Sequence, residues 1–325
     1  MKPYISFVVV GRNDNYGHRF LYRFQKFVDN LEYLCNKFKL NSELVVVEWN
    51  PPKKEKRLYE VLNFKEESIL KKRFIEVPEK VHNTIEKHEK FCLFEYLGKN
   101  VGVRRAKGDF VLCTNPDIIF SEDVIKFISE RKLEPKTLYR VKRFGMSRDI
   151  PENLNEGEII KYCDKNYGEC LGIHLDWINP ITDTKRFFVK YPRWIVKWFI
   201  KIYRILLKGK TYLWKIGGAP GDFSLMSKKD WEELRGHFEI SMNGWLDSYL
   251  VAEVLTRKKK IKFLKNPLKI FHQTHGYYLA QERNKTNDEQ RVLEGNLDKI
   301  VQRKMKKNNQ SWGLKEVLLK EKVIF

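Results

Sequence analysis

Residues 5–10 form an unbroken, mostly β-branched apolar run that stops at Gly11, the signature of a strand buried on both faces. The period then changes. Between residues 19 and 38 the apolar positions are Phe20, Phe24, Phe27, Leu31, Leu34 and Phe38, at helical spacing. Residues 43–48 predict a second strand, ended by Trp49-Asn50-Pro51-Pro52, and residues 74–77 a third. A helix is expected over 91–106, closing at Gly108, then a buried strand over 109–114, with Ser121 capping a helix over 122–130. Farther on, the pattern predicts a strand at 223–226, a helix capped by Ser227 that runs to Leu234, a helix over 245–255, a strand pair at 261–264 and 268–271, and a charged helix over 288–306. Residues 145–182 show no clear period.

Short apolar strands alternating with helices imply an α/β fold, a mostly parallel central sheet flanked by helices. Ligands of such sheets bind beyond the carboxyl ends of the strands. Three polar loops, 12–17, 48–52 and 115–117, occupy that position. The 325 residues suffice for one large domain of this kind, divided into a first half (1–144), an insertion (145–210) and a second half (211–325).

The insertion carries an amphipathic helix over 187–207. Lys190, Arg193, Lys197, Lys201, Arg204 and Lys208 fall three, four, four, three and four residues apart, on one stripe. The rest is almost entirely aromatic or aliphatic, including Trp194, Trp198, Phe199 and Tyr203. A narrow cationic face with a wide apolar face can lie in a membrane interface or pack on the protein. The interface reading assigns Trp194, Lys197, Trp198 and Lys201 to an anionic membrane surface.

A net charge of +21 attracts polyanions without choosing among them. The five cysteines are odd in number and lack CxxC spacing, which points to reduced thiols in a cytoplasmic protein. No uncharged apolar stretch is long enough to span a membrane, so the expected location is the cytoplasm, with peripheral contact at the inner face of the plasma membrane.

Four constellations could carry chemistry. Asn115-Pro116-Asp117 follows a buried strand, and a carboxylate there can hold a hard divalent cation against a diphosphate. Gly217-Gly218-Ala219-Pro220-Gly221-Asp222 lets backbone approach a ligand. Asp247, in Gly244-Trp245-Leu246-Asp247, can be a helix-start charge or a general base. In His272-Gln273-Thr274-His275, three apart, both histidines could bind metal, though one metal ligand and one structural histidine is the simpler assignment.

The segment from Asn100 to Asp117 resembles the approach to the DxD motif of GT-A fold glycosyltransferases, family 2-like, and residues 217–247 resemble a galactosyltransferase-type C-terminal segment. The resemblance implies transfer of a sugar from a nucleotide-diphosphate sugar, such as a UDP- or GDP-sugar, to the hydroxyl of a glycan or lipid-linked acceptor, with inversion. It implies that Asp14, Glu48, Asn100, Arg104 and Asn115 line the nucleotide-sugar site, and that Asp117 and His272 hold Mn2+ or Mg2+. Gly218, Asp222 and Trp245 would meet the donor or acceptor sugar, and Asp247 would be the base. The departure is Asn115, which brings no charge where the motif has its first Asp. A nucleotidyltransferase of related fold would carry a basic glycine-rich loop after the first strand, whereas residues 12–17 hold one glycine and no lysine. A non-enzymatic protein binding nucleic acid or another anionic surface would account for the charge, but no nucleic-acid-binding module is recognisable, so no nucleic-acid partner is expected.

Overall fold

The first apolar run forms β1 (Ile5–Gly11), buried along its whole length. The computed structural model describes residues 2–170, 221–241, 246–275, 295–297, 299–300 and 302–324. In it β1 pairs in parallel with β2 (Ser42–Trp49) on one side and β4 (Phe110–Cys113) on the other, and β2 pairs in parallel with β3 (Lys71–Val77). Helix α1 (Phe20–Lys37) makes the first crossover; short α2 (Leu58–Val61) and α3 (Glu79–His82) flank β3, and α4 (Glu95–Arg105) leads into β4. This half matches the alternation read from the sequence.

The second half does not, and the expectation of a mostly parallel sheet is corrected: the sheet, of ten strands among the described residues, is mixed. β8 (Ser224–Ser227) runs antiparallel to β4, and β6 (Thr137–Met146) antiparallel to β8. β9 (Lys260–His272) is parallel to β6, while β5 (Ile118–Phe120) is antiparallel to β9. β7 (Tyr167–Cys170) pairs antiparallel with β6, and β10 (Lys320–Ile324) closes the far edge antiparallel to β3. β6 was missed because Arg140, Lys142 and Arg143 interrupt its apolar run. The expected strand pair at 261–271 is the single strand β9, whose register against β6 jumps from Leu264 to Lys269.

Alternation along β1 sorts the core. Ile5, Phe7 and Val9 pack with α1 and α5 (Glu122–Ser129), and Val8 and Val10 with α4, α7 (Lys228–Leu234) and α8 (Leu246–Thr256). A smaller cluster lies under α6 (Glu156–Asn166). Helix α4 begins at Glu95, four residues later than expected. The boundary drawn at 144 falls inside β6. The helix expected over 187–207, with Trp194, Lys197, Trp198 and Lys201, lies outside the described residues, as do Gly218, Trp245 and, of 288–306, residues 288–294, 298 and 301; of the rest, 295–297 and 299–300 are helical and the chain turns at 302–303. Among the described residues no helix is long and apolar enough to cross a membrane.

Candidate functional site

The carboxyl ends of β1, β2 and β4 share one edge of the sheet, and the Asn115-Pro116-Asp117 turn leaves β4 there. Thr114 N donates to Val8 O at 3.0 Å and fixes the start of the turn. β5 then pairs with β9 so that Ile118 faces His272 in register, which brings His272 beside Asp117. The chain after β9 is tied down at three points. Gln273 N donates to Asp117 O at 3.0 Å, Gln273 Nε2 to Arg23 O at 2.8 Å, and Thr274 Oγ1 to Met146 O at 2.8 Å.

These ties bring a second imidazole into the group. His272 Nε2 lies 3.4 Å and His275 Nε2 3.3 Å from Asp117 Oδ2, and the two ring nitrogens are 3.3 Å apart. A cation held by bonds of ~2.1 Å separates neighbouring ligand atoms by ~3.0–3.4 Å, so the triangle has the right edges for one ion. The donor set fits too: Asp117 Oδ1 is buried without a hydrogen-bond partner. Burial alone would raise the Asp117 carboxyl, but His272, His275 and Arg23 outweigh it and hold it well below its usual range. Burial lowers His272 despite the pull of Asp117. Metal binding requires the ionised carboxylate and displaces any proton on the imidazole nitrogens it takes. A pocket of about 180 Å3 opens beside His275, lined by Tyr22, Arg23, Asp149, Ile150 and Gln273 among others.

Asn115 faces a different set of partners. Its Oδ1 accepts from Lys99 Nζ at 2.8 Å and its Nδ2 donates to Asp222 Oδ1 at 2.9 Å. Lys99 is fully buried on α4, 2.5 Å from Glu95 Oε1; burial works against its charge, but Glu95 outweighs that and raises its pKa. Asp222 Oδ2 is ion-paired with Arg143. One residue earlier, a Cβ on Gly221 would lie 2.7 Å from Tyr96 Oη and 3.0 Å from Asp247 Cβ. Gly221-Asp222 therefore joins the Asn115 turn to Asp247 at the start of α8. Asp247 is 16% exposed, with Oδ2 3.9 Å from the buried guanidinium of Arg140. Burial pushes the Asp247 carboxyl above its ordinary value, against the pull of Arg140.

The structure thus brings together Asn115, Asp117, Asp222, Asp247 and His272. Three other expected positions, Glu48, Asn100 and Arg104, are engaged with partners within the fold. Glu48 is 2% exposed, and both its oxygens lie within 3.2 Å of the Leu58 N–H, so it secures the loop between β2 and α2. Asn100 is buried, donating to His237 O at 2.9 Å and accepting from His237 N at 2.7 Å; it locks the loop after α7. Arg104 stacks over Trp312 at 4.7 Å and donates to Gln310 O, against the C-terminal segment. Asp14 does stand at the strand ends, held by Arg12 at 2.8 Å.

Sequence reasoning missed Lys99, Arg140 and Arg143, and it preferred a structural role for one of the two histidines that the structure sets side by side at Asp117. Glu95 and Lys99 stand four apart on a helix, a visible ion-pair spacing. For the two arginines the only signal was cations within a strand, which reads as a solvated face until the strand is found.

No protein-family model matches the chain, and no curated protein matches it. Among solved structures the chain is similar to the crystal structure of S. aureus TarS, at 13% identity and a TM-score of 0.44 over 94% of this chain and 43% of that one. The chain therefore spans less than half the length of that structure.

Proposed function

We propose that the chain is a glycosyltransferase that moves a sugar from a nucleotide-diphosphate sugar to an acceptor hydroxyl. The observation that carries this reading is the bridge formed by Gly221-Asp222, which puts a carboxylate of raised pKa, Asp247, beside the turn that bears the Asp117 cluster. Asp247 would take the proton of the attacking hydroxyl as its oxygen bonds to the anomeric carbon and the bond to the diphosphate breaks, with inversion. Asp117 and His272 would hold a divalent cation, which supplies positive charge against the leaving diphosphate when bound. Arg143, paired with Asp222, and Lys99, bound to Asn115, keep that turn fixed. Asp14, at the end of β1, would meet the nucleoside.

The acceptor is proposed to be a glycan or lipid-linked hydroxyl at an anionic membrane surface, reached from the cytoplasm; its support is the cationic aromatic stripe of residues 187–207. A thermal-shift panel of nucleotide-diphosphate sugars, with and without Mn2+, tests the class. A melting shift with a UDP- or GDP-sugar, and none with ATP or RNA, is the expected result. No shift with any nucleotide would sink the proposal.

A further inference from the structure

We propose that His275 is the third protein ligand of the cation, in place of the missing carboxylate, and that this set of two imidazoles and one carboxylate selects Mn2+ over Mg2+. The inference rests on Asp117 and His272 forming a cation site, and it is independent of the reaction that follows. Three observations carry it. The Asp117, His272 and His275 ligand atoms form a near-equilateral triangle with edges of 3.3–3.4 Å. His275 is set there by a segment anchored to Asp117, Arg23 and Met146, so its ring does not reach the triangle by a free side-chain swing. Asn115 is already committed, its amide oxygen to Lys99 and its amide nitrogen to Asp222.

That last contact explains the departure from a second acid. An Asp at 115 would set one carboxylate oxygen 2.9 Å from another, on Asp222, where Asn115 now donates. A neutral amide is what Asp222 requires, and the cation's remaining protein ligand then has to come from elsewhere. Mg2+ demands oxygen ligands and keeps its waters, whereas imidazole suits later first-row ions; two of three protein ligands here are imidazoles.

Pulsed EPR on the Mn2+-loaded full chain counts directly bound imidazole nitrogens without reference to turnover, and calorimetry gives the affinities. The expected result is two nitrogens in the wild type, one in His275→Gln with Mn2+ binding at least ~10-fold weaker, and Mg2+ bound at least ~10-fold more weakly than Mn2+. Asn115→Asp should keep both nitrogens. A single nitrogen in the wild type, or unchanged affinity in His275→Gln, would overturn the role of His275 while leaving Asp117 and His272 as a cation site. Equal binding of Mn2+ and Mg2+ would overturn the selectivity. No Mn2+ binding to the wild type would overturn the cation site itself. If His275→Gln fails to fold, the wild-type nitrogen count still decides the matter.

Discussion

Asp247 sits where a carboxylate is expensive, behind Gly221 and Tyr96, with the Arg140 guanidinium at 3.9 Å. Such a site would suit the base of the proposed reaction, whose pKa it raises toward the value the task needs. Asp247→Asn should lower sugar transfer by ~10²–10⁴-fold while nucleotide affinity and melting temperature stay near wild type. Steady-state kinetics beside a nucleotide titration will show this, and wild-type turnover would remove Asp247 from the chemistry. Glu48 is the opposite case, a buried acid whose oxygens serve the backbone. Burial raises its pKa from 4.5 to about 7, against the Leu58 hydrogen bond. The folded state then binds the proton more tightly than the unfolded chain, so this contribution to stability is full below about pH 4.5 and is lost as pH rises to about 7. Glu48→Gln cannot ionise, so its stability relative to wild type should grow by about 3 kcal/mol between roughly pH 4 and pH 8. Urea unfolding at both ends reads the difference. A pH-independent difference would mean that Glu48 ionises as freely in the fold as outside it.

At the scale of elements, α4 is the piece that joins the site to the frame. Its Lys99 holds the Asn115 turn, and the next residue, Asn100, holds the loop after α7. Gly236 in that loop has φ +70°, and a Cβ there would stand 2.2 Å from Asn100 Oδ1. Asn100→Ala would leave the His237 N–H without its buried partner, while the His237 C=O keeps Asn308 Nδ2, costing about 1–3 kcal/mol. Nucleotide affinity measured under native conditions should be unchanged, and a selective loss of that affinity would return Asn100 to the donor site. Adjacent helix positions with such different duties also show where sequence reading stopped. The parallel half was legible because β1, β2 and β4 are apolar on both faces and alternate with helices. Asp117 and His272 stood out as a strand-end acid and a late histidine. What was not legible depends on pairing. β6 hides behind its cations, and only the register Ile118 to His272 reveals that His275 comes along. Asn100, Arg104 and Glu48 were polar residues beside candidate motifs, and nothing in their spacing distinguishes a ligand contact from a buried hydrogen bond to backbone.

Across the whole molecule the two halves of the sheet do different work. The candidate site hangs on β4, β5, β8 and β9, whereas the opposite edge is closed by β10, which pairs with β3 almost 250 residues earlier in the chain. Arg73 fastens that closure. Its Nε and Nη2 meet the two carboxylate oxygens of Glu321 at 2.8 and 3.0 Å, and its Nη1 lies 3.0 Å from both Glu43 and the Arg105 carbonyl. The segment before β10 is held by Arg105, which donates to the carbonyls of Gly313, Leu314 and Val317 on the outer side of α4. Removing residues 320–325 would leave that segment docked but strip β3 of its edge partner. At ~0.5–1.5 kcal/mol per strand hydrogen bond, the loss should be roughly 2–5 kcal/mol. An unpaired edge also invites pairing between chains. The truncated chain should therefore unfold at lower urea and show concentration-dependent association in light scattering. Because β10 pairs with β3 at the opposite end of the sheet from β5 and β9, which carry Asp117 and His272 to their place, Mn2+ affinity in the native baseline should match the full chain. If cation binding fell together with stability, the edge and the site would be one cooperative unit, and the division of labour between the two halves would be wrong.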